Sequence, residues 1–97
     1  MMDVKRIELV IEAHEKNNVI KALKDANVHA FTIYKHVGGY GERGQREENV
    51  FGDMFENVTF VIACKNDQLE SLLEALRPML KQYGGMCLIS DAKWLKH

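Results

Sequence analysis

Apolar residues fall at alternate positions over residues 4–12, with Ile7, Leu9 and Ile11 on one side and Arg6, Glu8 and Glu12 on the other. Successive side chains of extended backbone point to opposite faces, so this pattern predicts a half-buried strand. The period then changes. Val19, Ile20, Leu23 and Ala26 recur at helical spacing within the Lys-, Ala- and Leu-rich residues 15–26, which predicts an amphipathic helix. Asn27, a residue that tolerates left-handed backbone, stands where that helix should stop. Alternation returns at residues 30–36, where Phe31 and Ile33 oppose Thr32 and Tyr34. Asn57 to Cys64 is apolar at nearly every position, the pattern of a strand buried on both faces. Asp67, with Glu70 three residues on, reads as a capping box. It opens a helix in which Leu69, Leu72, Leu73, Leu76, Met79, Leu80 and Tyr83 keep a 3.6-residue period. Pro78 lies on the opposite face and is expected to kink the last turns, and Gly84-Gly85 ends them. Met86 to Ala92 forms the last strand, with Trp94-Leu95 extending it or docking on it.

The predicted order is β-α-β-β-α-β. Its economical solution is an α+β ferredoxin-like sandwich, a four-stranded antiparallel sheet with two helices on one face. Right-handed crossovers put the first and third strands at the centre and the fourth beside the first. Cys64 and Cys87 are then a strand apart, which argues against a disulfide. The other face has no helix. Val4, Val10, Val58, Phe60 and Ile62 carry more apolar surface than one helical layer hides, so burial in an oligomer is expected. At 97 residues, and with no repeat or linker, the chain reads as a single domain.

The formal net charge of −1, mixed along the chain, gives no footprint for nucleic acid or an anionic membrane surface. No apolar run reaches spanning length. Charge at Asp3, Lys5 and Arg6 replaces the apolar region of a signal peptide, so the expected location is the cytosol. The two cysteines lack Cys-x-x-Cys spacing and read as buried hydrophobes of a reducing compartment.

Candidate chemistry concentrates in Gly38-Gly39-Tyr40-Gly41-Glu42-Arg43-Gly44, with Arg46 close behind. Glycines let backbone amides converge on an anion, and the arginines add positive charge. Gly39-x-Gly41-x-x-Gly44 matches the dinucleotide fingerprint only formally. That fingerprint should open a helix, and Gln45 to Phe55 has no helical stripe. A phosphate-gripping loop and a plain hairpin loop both remain open. His14, His29, His36 and His97 lack metal-ligand spacing, although His36 lies at the loop's root. Glu47, Glu48, Asp53 and Glu56 read as carboxylates that solvate the loop. No nucleophile–base arrangement stands out, so an enzyme is not expected.

Almost the whole chain resembles the PII signalling superfamily. Lys5-Arg6-Ile7-Glu8 resembles that family's opening strand. Ala22 to Ile33 is similar to its first helix and following "Gly-x-Thr-Val" strand, with Asn27 and Ala30 where glycine is common. Gly39-Tyr40-Gly41 resembles the base of the T-loop, Asn57 to Asp67 the third strand, and Tyr83-Gly84-Gly85 a shortened B-loop. The resemblance implies a homotrimer with residues 37–55 as the T-loop and adenine nucleotides in clefts between subunits. Thr32, Gly39, Gly41 and Arg43 would face the nucleotide, Val61 and Ala63 would offer backbone to adenine, and Gly84 and Gly85 would turn amides to phosphate. Arg46 joins them on charge alone. Tyr40, Glu42, Glu47, Glu48 and Phe51 would present the loop to a partner. Nitrogen-sensing relatives carry a lysine where Met86 stands, a basic C-terminal stretch and a modified T-loop tyrosine, none of which has a counterpart here. The chain looks more like PII-like proteins tied to bicarbonate transporters and carboxysomes. AMP, ADP, cyclic AMP or ATP is then the expected ligand, without cofactor or metal, and a membrane bicarbonate permease the expected partner. The divalent-cation tolerance family shares this fold and supplies the alternative, a trimeric metal-responsive module with His36, Glu42 and loop carboxylates as ligands.

Overall fold

The computed structural model describes the backbone of residues 1–37, 39–41, 44–46 and 56–96 and the side chains of 1–35 and 56–96. Strand β1 (Met2–Glu12) leads through a 3-10 turn (Ala13–Glu15) into helix α1 (Lys16–Asp25) and strand β2 (Ala30–Val37). Short strands β3 (Gly39–Gly41) and β4 (Gly44–Arg46) follow. Strand β5 (Asn57–Cys64), helix α2 (Asn66–Tyr83) and strand β6 (Met86–Trp94) complete the described chain. The four long strands form one antiparallel sheet in the order β2-β5-β1-β6, as expected, while β3 and β4 pair only with each other. Cys64 and Cys87 flank β1 on opposite sides and are free thiols. Burial raises the pKa of both, so they stay protonated at neutral pH.

Register decides which residues meet the helices. Ile62 of β5 lies between Phe31 of β2 and Ile7 of β1, and Phe60 lies between Ile33 and Leu9. Ile7, Leu9, Val58, Phe60, Ile62 and Cys64 are buried under Val19 and Leu23 of α1 and Leu72 and Leu76 of α2, with Phe31 and Ile33 partly buried beside them. Each contributes about 1.5–3 kcal/mol through loss of apolar surface to water. The uniformly apolar reading of β5 therefore needs correction. Val58, Phe60 and Ile62 face the helices, whereas Thr59, Val61 and Ala63 are half-buried on the open face. Val4 and Val10 lie on that open face too. Tyr34, Met86 and Leu88 join them there and are exposed, while Arg6 and Glu8 form an ion pair across its middle. The expectation of a large uncovered face holds with a different set of residues.

The start of α2 also differs. The helix begins at Asn66, and it is Gln68, not Glu70, that reaches back: its Oε1 accepts the Lys65 N–H at 2.8 Å. Asp67 instead sits in the first turn, where the helix dipole favours negative charge. The Gln68 amide group donates at 2.8 Å to the carbonyl of Asn27, whose φ of 62° is the left-handed stop foreseen for α1. One side chain thus satisfies the ends of both helices. Gln68→Ala is expected to cost about 1–2 kcal/mol in urea unfolding, and Glu70→Ala close to nothing; equal losses would remove Gln68 from this role.

Candidate functional site

Three features position the predicted site. The first is the edge of the open face. Thr32 of β2 stands opposite Val61 of β5, and Ala30 stands opposite Ala63, so Thr32, Val61 and Ala63 are neighbours on one surface. Thr32 is exposed and the other two are half-buried. The second is the root of the loop that follows β2. The β2–β5 register slips between Lys35 and Val37, leaving His36 as the extra residue of a bulge. On the return side Ala13 donates its N–H to the carbonyl of Glu56 at 2.8 Å, and Glu56 and Asn57 are buried. Glu56, read from sequence as a solvating carboxylate, is instead an anchor of the chain's return into β5. Its neighbours in sequence gave no sign of this; only the packed corner does.

Beyond the bulge, Gly39 pairs with Arg46, Tyr40 with Gln45 and Gly41 with Gly44. Strand pairing therefore runs through the stretch for which an anion-gripping loop and a hairpin loop were both open, and a ladder engages part of its backbone amides. Arg46 is brought opposite Gly39 along the backbone. Glu42, Arg43, Glu47, Glu48 and Phe51 lie outside the described residues, as does the side chain of Tyr40.

The third feature is the Gly84-Gly85 turn into β6, with φ values of 77° and 106°. A Cβ on Gly85 would stand 2.3 Å from the carbonyl oxygen of Val10, so only glycine fits this approach to β1. Val37, Asn57 and Met86 all lie at the end of the sheet where β1 finishes. The loop's root and the glycine turn thus share an end but sit at opposite edges, about 14 Å apart across three strand spacings. One chain brings Thr32, Val61 and Ala63 together at the loop's edge, and it leaves Gly84 and Gly85 at the far corner.

Residues 4–96 match the family model described as nitrogen regulatory protein P-II. The chain belongs to this P-II family. No curated protein matches it. Among solved structures, the PII-like protein CPII of Thiomonas intermedia K12, bound to ADP, AMP and bicarbonate, superposes with a TM-score of 0.86 at 23% identity, over 94% of this chain and 87% of CPII. The apo form of CPII gives a TM-score of 0.78 at 20% identity, over 94% and 90%. A candidate PII-like signalling protein of Thermus thermophilus gives 0.74 at 15% identity, over 94% and 88%.

Other chemistry among the described residues of this P-II chain is sparse. Among the described residues no three His, Cys, Asp or Glu side chains gather as metal ligands. The His36 side chain and Glu42, the ligands of the metal-responsive alternative, lie outside the described side chains. An open pocket of about 430 Å³ lies at the other end of the sheet, lined by Asp3, Lys5, Asn66, Asp91 and Lys93. Its cations are already paired, Lys5 with Asp91 and Lys93 with Asp3. The hydrogen bond from Lys5, and then its charge, hold the Asp91 carboxyl below the usual range. Among the described residues no helix is long and apolar enough to cross a membrane.

Proposed function

We propose that this P-II protein is a cytoplasmic signalling module that binds an adenine nucleotide in clefts between the subunits of a homotrimer. Residues 37–55 then form a loop that the nucleotide orders, and that loop regulates a membrane transporter for bicarbonate. The observation that carries the reading is the split geometry of the site. Thr32, Val61 and Ala63 lie along the β2–β5 side of the open face, the loop's root ends that side four residues of β5 beyond Val61, and Gly84-Gly85 stand at the opposite edge of the sheet, so one chain does not gather them into one pocket. A neighbouring copy that docks through the open face, with Val10, Tyr34, Val61 and Leu88, can set one chain's glycine turn against the next chain's loop root. The adenine nucleotides in CPII, a protein of the same fold, support this ligand class, and its bicarbonate supports the transport link.

In this reading the trimer holds the nucleotide without catalysis. Arg43 and Arg46 neutralise phosphate, Gly39, Gly41, Gly84 and Gly85 supply amides, and the backbone of Val61 and Ala63 reads adenine. Tyr40, Glu42, Glu47, Glu48 and Phe51 form the surface that the ordered loop shows to its partner. A ligand shifts the loop only as far as it binds the ordered state better. Calorimetry of the purified assembly with AMP, ADP, ATP and cyclic AMP tests the proposal, and no heat from any of the four rejects it. Arg43→Ala should weaken binding about 10-fold or more, since a charge-assisted hydrogen bond is worth roughly 1.5–3 kcal/mol. Unchanged affinity would take Arg43 out of the site.

A further inference from the structure

Strand β1 runs through the middle of the open face and presents Val4, Arg6, Glu8 and Val10 there. Its neighbours on that face are apolar or small. Ala63 and Ser90 stand opposite Arg6, and Val61 and Leu88 stand opposite Glu8. Among these residues Arg6 donates from Nη2 to Glu8 Oε1 at 2.8 Å, and the two side chains stay 44% and 31% exposed. A guanidinium offers five N–H donors and a carboxylate two acceptor oxygens, so this one contact uses a small part of what the pair can make. An ion pair in the centre of an apolar face is a poor choice for adhesion alone, because well-packed apolar residues of similar size usually serve burial as well or better.

In the homotrimer of the proposed function, on which this assignment rests, the β2 side of one copy meets the β6 side of the next. The edges of each sheet then lie at the junctions, and the middle of each open face turns to the three-fold axis. We propose that Arg6 of each copy pairs there with Glu8 of the next, so that three pairs close a ring of alternating sign around the axis. Arg6 already spans the two-residue step to Glu8 in its own strand, about 6.6 Å along the backbone. The same reach serves a neighbouring strand. Rotational symmetry repeats one Arg6–Glu8 contact at every junction. The ring separates three guanidiniums that would otherwise converge on the axis, and it gives each charge a second partner when closure removes water. Its role is recognition. Contacts of Val10, Val61 and Leu88 favour closure in general, whereas the ring favours only a copy that presents the opposite sign at the facing position.

Charge-swapped chains read by native mass spectrometry test the ring. Arg6→Glu alone and Glu8→Arg alone should each lower the trimer fraction about tenfold or more, because like charges then meet at every junction. The double variant Arg6→Glu/Glu8→Arg should assemble like wild type. It also restores the pair within each chain, so co-expression with wild type is what separates a ring from three self-contained pairs. A junction between the two kinds of chain sets arginine against arginine or glutamate against glutamate. Mixed trimers should therefore fall about tenfold or more below statistical mixing. The double variant has the wild-type mass, so one chain carries a C-terminal mass tag, and tagged with untagged wild type gives the statistical reference. This comparison needs only the wild type and the double variant. Statistical mixing of the two, or a double variant that folds without assembling, would overturn the ring and leave the trimer standing. A wild type that is not trimeric would overturn both.

Discussion

Gly85→Ala is expected to destabilise this P-II fold by about 3 kcal/mol or more, a large share of the roughly 5–15 kcal/mol that holds a domain of this size together. Two costs combine. The φ of 106° is backbone that L side chains rarely adopt, and holding a residue there costs on the order of 1–3 kcal/mol. The added Cβ also meets the Val10 carbonyl oxygen at 2.3 Å, a rigid backbone atom. Val10 pairs with Met86, so relief by moving that carbonyl opens the first rung of the β1–β6 ladder. Gly84→Ala faces only the strain of a φ of 77° and should cost less. Urea unfolding ranks the two, and a Gly85→Ala midpoint equal to wild type would mean that the turn relaxes freely. The pair also separates structure from binding. If the amides of this turn hold phosphate, Gly84→Ala should lose affinity beyond its small loss of stability.

The parts of this molecule legible in the sequence are those set by period and by single special residues. Ile7, Leu9 and Ile11 declare the face of β1, the Leu stripe declares that of α2, and Asn27 and Gly84-Gly85 mark stops that φ values bear out. The right-handed crossover then fixes the strand order without any contact being known. What period cannot assign is sidedness in a uniformly apolar strand. In β5 each of Val58, Phe60 and Ile62 could have faced either way, and only pairing with Ile7 and Leu9 directs them to the helices. Gln68 escaped notice because its two hydrogen bonds depend on Asn27, 41 residues away in sequence, coming beside the start of α2. The glycine loop was ambiguous for a related reason. Gly39, Gly41 and Gly44 permit many conformations, and the ladder in this stretch is chosen by partners across the turn. Period could not group the distant glycines; their assignment to a single site is what the resemblance to P-II proteins implies.

In the proposed function, stability and ligand binding rest on different residues, and that separation makes Phe60→Ala informative. Phe60 is fully buried at the centre of the sheet, lies between Leu9 and Ile33, and packs its ring 5.9 Å from that of Phe31. Truncation leaves a cavity under both helices and is expected to cost about 3–5 kcal/mol. For a domain near 100 residues that lowers Tm by roughly 12 °C or more. Phe60 points away from the open face, so the surface proposed for the nucleotide around Thr32 and Val61 is untouched. A nucleotide that binds only the folded assembly adds RT ln(1 + [L]/Kd), about 2.7 kcal/mol at 100 times Kd. ADP or AMP should therefore raise the Tm of Phe60→Ala, returning most of the lost stability, with an affinity for the refolded protein like that of wild type. Arg43→Ala should behave in the opposite way, melting like wild type without ligand and gaining little with it. A Phe60→Ala protein that no nucleotide rescues, beside a wild type that one does stabilise, would mean that core packing and the cleft are coupled through β5 and not independent.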